Sequence, residues 1–160
     1  RTKNKMTNKK WTRVLTLLLA LLMLGGMLSA CGEKSEKGFV TLVLAADGAK
    51  EVTYQVNLDR VKEADGLIGI LDVLKADGKL EYTAESSDYG PFLTAVGNVK
   101  QDADAGVYVF IWTSVAKDAD TSEYATTKTY NGTTLTSSAV GAGSMTLEKD
   151  AIYYIGTVKY

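Results

Sequence analysis

"GLIGILDVLKADG", residues 66–78, is the stretch on which the fold turns. Leu67, Ile70, Leu71 and Leu74 recur at helical spacing and place four apolar side chains on one face of an α-helix. Asp65 is the expected N-cap and Gly78 the expected C-cap. Everything around this helix has the character of strands. Upstream, "FVTLVLAADG" (39–48) and "EVTYQVNL" (51–58) read as a hairpin turning at Asp47-Gly48. Downstream, "KLEYTAES" (79–86), "SSDYGPFLTAVG" (86–97) and "GVYVFIWTSV" (106–115) are strand-like. "TTKTYNGTTLTSS" (126–138) carries the hairpin signal Asn131-Gly132, and "MTLEKDAIYYIGTVKY" (145–160) predicts a turn at Lys149-Asp150 before a last strand. Two strands, one helix over about residues 66–77 and then several strands make an α+β chain, its mainly antiparallel or mixed sheet covered by the helix on one face. That order fits a small β-grasp-like domain over residues 38–160.

The first 37 residues are of another kind. Lys9, Lys10 and Arg13 precede the uncharged apolar run "VLTLLLALLMLGGM" (14–27), the pattern of a secretory signal over residues 1–30, with Met6 as the expected start. "LSAC" (28–31) followed by Gly32 resembles the lipobox of bacterial lipoproteins, which makes Cys31 the expected lipidation site and new N-terminus. "GEKSEKG" (32–38) has the composition of a flexible tether, placing the domain boundary after residue 37. The expected location is the outer face of a bacterial cell membrane. Acyl chains there contribute about 0.8 kcal/mol per buried methylene.

Composition then removes most chemistry. The chain has no histidine and one cysteine, so a Ser-His-Asp triad and zinc sites built on His or Cys are excluded. With Cys31 acylated, no thiol is left for a disulfide or for redox work. Residues 1–30 hold six of the eighteen basic residues and none of the nineteen acidic ones, leaving residues 31–160 with twelve against nineteen, a net charge of −7. Such a surface does not bind nucleic acid through a basic patch. Two acidic runs, "DADAG" (Asp102, Asp104) and "KDADTSE" (Asp118, Asp120, Glu123), resemble fragments of a calcium loop but lack its glycine and its bidentate glutamate. They read as solvated loop ends, and "VGAGS" (140–144) as a turn. No metal site is expected. A carboxylate-pair hydrolase would need its acids in a cleft, whereas these lie in turns, so the protein is expected not to be an enzyme.

Two features remain for binding. Tyr108, Phe110 and Trp112 fall at period two on one strand, with Val107, Val109 and Ile111 on its other face. Either row can pack on the helix. If the β-branched row does, the aromatics form an open apolar patch; otherwise the aromatics are the core face or cover a sheet edge. The second feature is Pro91, the single proline of the chain, set between Gly90 and Phe92 at the start of a strand.

The run from Ile70 to Ser114, "ILDVLKADGKLEYTAESSDYGPFLTAVGNVKQDADAGVYVFIWTS", resembles the C-terminal β-domain of transcobalamin and intrinsic factor, and the related domain of secreted Gram-positive proteins. The matching motifs are Leu71–Leu74, Gly90–Val96, Tyr108–Trp112, Gly141–Gly143 and Leu147–Ala151, in the family's order across residues 38–160. The resemblance implies a β-grasp-like fold and a domain that closes over a corrinoid held against a separate helical barrel. Carried over by motif, the ligand contacts are Asp88, Tyr89, Gly90, Pro91, Phe92 and Leu93, then Tyr108, Phe110 and Trp112. Trp112 lies later in its strand than the family's tryptophan, and residues 115–130 are additional. The expected function is therefore a non-enzymatic surface lipoprotein that binds a cobalamin-like or other amphipathic small molecule. A partner lipoprotein or helical-barrel protein would cover the ligand's other face, and no resident cofactor is expected. The alternative is a cell-surface structural or protein-interaction domain that keeps the fold without the ligand.

Overall fold

The computed structural model describes residues 34–160, so the expected signal segment and the expected lipidation site, Cys31, lie outside the described residues. Nine strands are found among them: β1 (Phe39–Ala45), β2 (Val52–Asn57), β3 (Tyr82–Ser87), β4 (Gly90–Val96), β5 (Val99–Lys100), β6 (Val107–Thr113), β7 (Thr127–Tyr130), β8 (Thr133–Ser137) and β9 (Ile152–Lys159). One α-helix, α1 (Gly66–Ala76), separates β2 from β3. The strands form a six-stranded mixed sheet, ordered β2-β1-β9-β6-β8-β7, and a three-stranded antiparallel sheet, β3-β4-β5. Only β1 and β9 run parallel among the paired strands. The domain is thus a sheet-rich α+β fold, as its element order predicts.

The helix buries the face that its spacing implies. Leu67, Ile70, Leu71 and Leu74 are all buried, packed with Val40, Leu42 and Leu44 of β1 and with Tyr153 and Ile155 of β9. Its C-terminus follows expectation: Gly78 takes a positive φ of 66°, and the Gly78 and Lys79 N–H groups donate back to Lys75 and Leu74, closing a Schellman turn. Its N-terminus does not. Asp65 makes no side-chain cap bond and instead pairs with Lys62. What starts the helix is Gly66, whose φ of 55° and contact with the backbone of residues 142–145 leave no room for a side chain.

Both faces of β6 are packed. Val109 and Ile111 face the helix side, so the β-branched row is core. The aromatic row on the other face is not open, however, because the six-stranded sheet curls on itself. Its two outer strands meet where the Thr53 hydroxyl bonds the Tyr130 hydroxyl at 2.8 Å. Across the curl, register aligns Thr53, Val43, Tyr154, Trp112 and Ser137 into one inward-facing belt. Trp112, 2% exposed, fills this second core with Val43, Leu135 and Tyr154. Its indole N–H donates to Thr126 Oγ1 at 2.9 Å, its ring meets Tyr154 edge-on at 6.0 Å, and Lys128 Nζ sits 4.4 Å from the ring centroid.

At the start of the domain, Glu36 and Lys37 donate their backbone N–H groups to the Asp59 carboxylate, and Lys37 also pairs with Glu63. Those two N–H groups hold the Asp59 carboxyl below its usual range. The end of the expected tether is therefore hydrogen-bonded to the domain.

Candidate functional site

β3 and β4 join through a two-residue turn, Asp88-Tyr89, with Ser87 opposite Gly90. Gly90 has a φ of 96°, the left-handed region that glycine alone enters without strain, so the chain can leave the turn and start β4 at once. Ser87 Oγ stabilises the turn, donating to Gly90 O at 2.7 Å and accepting from Tyr89 N at 3.2 Å. Pro91 follows where β4, the middle strand of its sheet, is paired with β3 alone, because β5 reaches only Ala95 and Val96; a missing donor is tolerated there. A register shift opposite Thr83/Ala84 then inserts one extra residue into β4, so Leu93 and Val96, three apart, both reach the core. Phe92 is left outward at 43% exposure and Tyr89 at 92%.

Between β4 and β6 lies a groove of about 160 Å³. One wall is Pro91, Phe92 and Leu93; the other is Val109, Phe110 and Ile111; residues 138–142 close the third side. The groove is a gap in strand pairing. Val107 bonds Asp102 in both directions at 2.8 Å, and Ile111 O accepts from Ser138 N at 2.9 Å, both on the side of β6 away from β9. Val109, two residues from each, turns its N–H and C=O to that same side by strand alternation, and no strand pairs with it there. An apolar slot thus holds one backbone donor and one acceptor.

The third wall is held from beneath. Asp118 is 3% exposed, and its carboxylate accepts from Thr146 N at 2.6 Å and Thr146 Oγ1 at 2.9 Å. Its own backbone O accepts from Ala139 N, and the Tyr153 hydroxyl donates to Thr146 O at 2.6 Å. Burial pushes the Tyr153 phenol up to about 12. Asp118 is therefore a buried structural carboxylate, which corrects the expectation of a solvated loop end. A buried acid inside an Asp-Ala-Asp-Thr run carries no sequence signal that separates it from an exposed one. Asp120 does behave as a loop residue, accepting from Ser122 N. Among the described residues, no three His, Cys, Asp or Glu side chains converge as a metal would require.

Of the expected ligand contacts, Pro91, Phe92 and Leu93 line the groove together with Phe110, whose ring packs against Trp112 on the other face of the sheet, 5.1 Å away. Gly90, Tyr89 and Asp88 form the adjoining turn, where the Tyr89 carbonyl lies against Gly141 and the Pro91 ring against Gly143. Tyr108 is elsewhere, its ring 6.1 Å from that of Tyr160, and Trp112 is inside the curled sheet. Residues 138–142 were not among the expected contacts. Gly141 signals only a turn, and the segment is tied to Asp118 through the Ala139 N–H.

No protein-family model matches the sequence, and no curated protein matches it. Among solved structures, a Ruminococcus gnavus protein to which metal binding is ascribed superposes with a TM-score of 0.50 at 13% identity, over 77% of this chain and 98% of that one. Haptocorrin in complex with Cbi superposes with a TM-score of 0.51 at 14% identity, over 83% of this chain and 28% of its own. The chain thus spans little more than a quarter of haptocorrin, and the likeness is one of fold. At that level it agrees with the transcobalamin-like resemblance of the sequence.

Proposed function

We propose that residues 38–160 form a non-enzymatic ligand-binding domain of β-grasp type, which takes one edge of a flat amphipathic molecule of the corrinoid class in the β4–β6 groove. The observation that carries this is the groove itself: an apolar slot beside exposed Tyr89 and Phe92, with the Val109 N–H and C=O as its fixed polar groups. Sites for small molecules have this make-up, apolar walls with a few placed donors and acceptors. The parallel pairing of first and last strands beside the β1-β2 hairpin supports the β-grasp assignment. Cbi in the haptocorrin structure supports the corrinoid class.

Size sets the mode of binding. Pockets that enclose a small ligand run to about 300–1,000 Å³, and this groove offers about 160 Å³. The domain supplies one wall, and a partner chain covers the other face of the ligand. Trp112 and Tyr108 act in this reading as supports of β6 rather than as contacts. We further propose that Cys31 is lipidated and holds the domain on the outer face of a bacterial membrane, on the strength of the signal and lipobox pattern.

The test is a spectral titration of the full chain with cobalamin and with cobinamide, alone and with companion surface proteins. A saturable shift that Phe92→Ala and Tyr89→Ala weaken is the expected result; no shift in any combination refutes the corrinoid reading and leaves a protein-interaction domain. Labelling by a palmitate analogue, lost in Cys31→Ser, tests the anchor.

A further inference from the structure

A second concavity, of about 640 Å³, lies at the other end of the six-stranded sheet, where β1 runs into the β1-β2 loop and β9 ends. Three lysines from three strands line it: Lys100 of β5, Lys128 of β7 and Lys159 of β9. Of the other described cations, Lys37, Arg60, Lys62, Lys75 and Lys79 pair with carboxylates, whereas Lys34, Lys50, Lys117 and Lys149 have no ion pair among the described residues but line neither this cavity nor the groove. None of the three cavity lysines has a carboxylate within ion-pair distance among the described residues. In a region of net charge −7, carboxylates to pair them are abundant, yet three lysines without an ion pair line one cavity.

The cavity's own acids, Asp47 and Glu51, offset only part of this, and three lysines against two carboxylates leave the lining net positive. Glu51 is also engaged, accepting from the Tyr154 hydroxyl at 2.8 Å. Lys128 is also pre-positioned, its Nζ 4.4 Å from the Trp112 ring centroid and 5.4 Å from that of Tyr154. Ring faces hold an ammonium in place without neutralising it, so its charge stays available to a ligand.

We propose that this cavity binds a small soluble anion bearing two or more negative charges as carboxylate or phosphate groups, with Lys100, Lys128 and Lys159 as its counter-charges. The same chemistry could come from a lipid headgroup, but the position argues for a soluble source. The cavity opens at the end of β1 remote from Gly38, a strand's length of roughly 20 Å from where the tether enters. The site stands apart from the groove and does not depend on it.

Calorimetric titration of the full chain in detergent micelles, at low salt, with citrate and with inorganic phosphate, is the test. Saturable binding of at least one is expected, weakened roughly fivefold by Lys100→Gln and by Lys159→Gln, the effect of losing one nearby unit charge. Lys62→Gln, remote and already paired, leaves it unchanged, and added salt weakens it. No saturable heat with either anion overturns the proposal, as does binding indifferent to Lys100 and Lys159. Lysine-dependent binding to phosphatidylglycerol vesicles without binding of the free anions assigns the cavity to a headgroup and overturns the soluble source.

Discussion

Replacing Asp118 tests how the groove's third wall is held. The carboxylate carries two hydrogen bonds to Thr146, at 2.6 Å to the backbone N–H and 2.9 Å to the hydroxyl, in a site only 3% exposed. Hydrogen bonds to a charged group contribute about 1.5–3 kcal/mol each. Asp118→Ala removes both and leaves the Thr146 N–H without its acceptor, while relieving the cost of keeping a carboxylate out of water, which offsets part of the loss. The expected net destabilisation is about 3 kcal/mol, in the upper range for one substitution. Asp118→Asn retains a carbonyl for the N–H, and the Thr146 hydroxyl can turn to accept from the new amide, so about 1 kcal/mol is expected. Urea unfolding of both variants reads the numbers, provided the slope is unchanged. Hydrogen exchange locates the effect: protection of residues 138–147 should fall first, with that of α1 retained. If the alanine variant unfolds within about 1 kcal/mol of the parent, Asp118 does not hold the wall and the account given of it is wrong.

Three further outcomes follow from the packing. Trp112→Ala should cost about 3–5 kcal/mol by emptying the second core, while Trp112→Phe, which loses chiefly the bond to Thr126, should cost about 1 kcal/mol; thermal unfolding distinguishes these from the negligible effect expected of an exposed ligand contact. Gly66→Ala should destabilise by more than the roughly 1–2 kcal/mol of left-handed strain, because its Cβ would lie 2.8 Å from Ala142 O; an equally stable variant would remove the close approach from the explanation. Alkali should unfold the domain. Tyr153, by burial, and Tyr82 and Tyr154, by burial and then by hydrogen bonds to Asp72 and Glu51, have phenols raised to about 12. A raised phenol favours the folded state fully below its ordinary value near 10, and that contribution is lost as pH rises through 12. Tyrosinate absorbance and circular dichroism should therefore change together in that window; titration of all the tyrosines at the ordinary value, with the fold intact, would contradict it.

What the sequence determined by itself was everything that rests on local periodicity and turn chemistry. The spacing of Leu67, Ile70, Leu71 and Leu74 was enough to place one helix and its buried face, and Gly78 its end. Asn131-Gly132 and Lys149-Asp150 marked turns at which Asn131, Gly132 and Asp150 take positive φ. The Gly-Pro motif pointed to β4, and four of its and β6's residues meet in one groove. These signals are short-range, each written within a few residues.

Tertiary structure alone decided which surfaces remain open. Whether the Tyr108-Phe110-Trp112 row was core or patch depended on the sheet curling until Thr53 met Tyr130, 77 residues away. Strand twist accumulates over six strands and leaves no trace in any one of them. Likewise, nothing adjacent in sequence marks Asp118 as the buried acceptor for Thr146, or gathers Lys100, Lys128 and Lys159 at one cavity. Burial and charge convergence are properties of residues far apart along the chain. They come into being only when strand order is set, because pairing β9 between β1 and β6 is what brings both ends of the domain together.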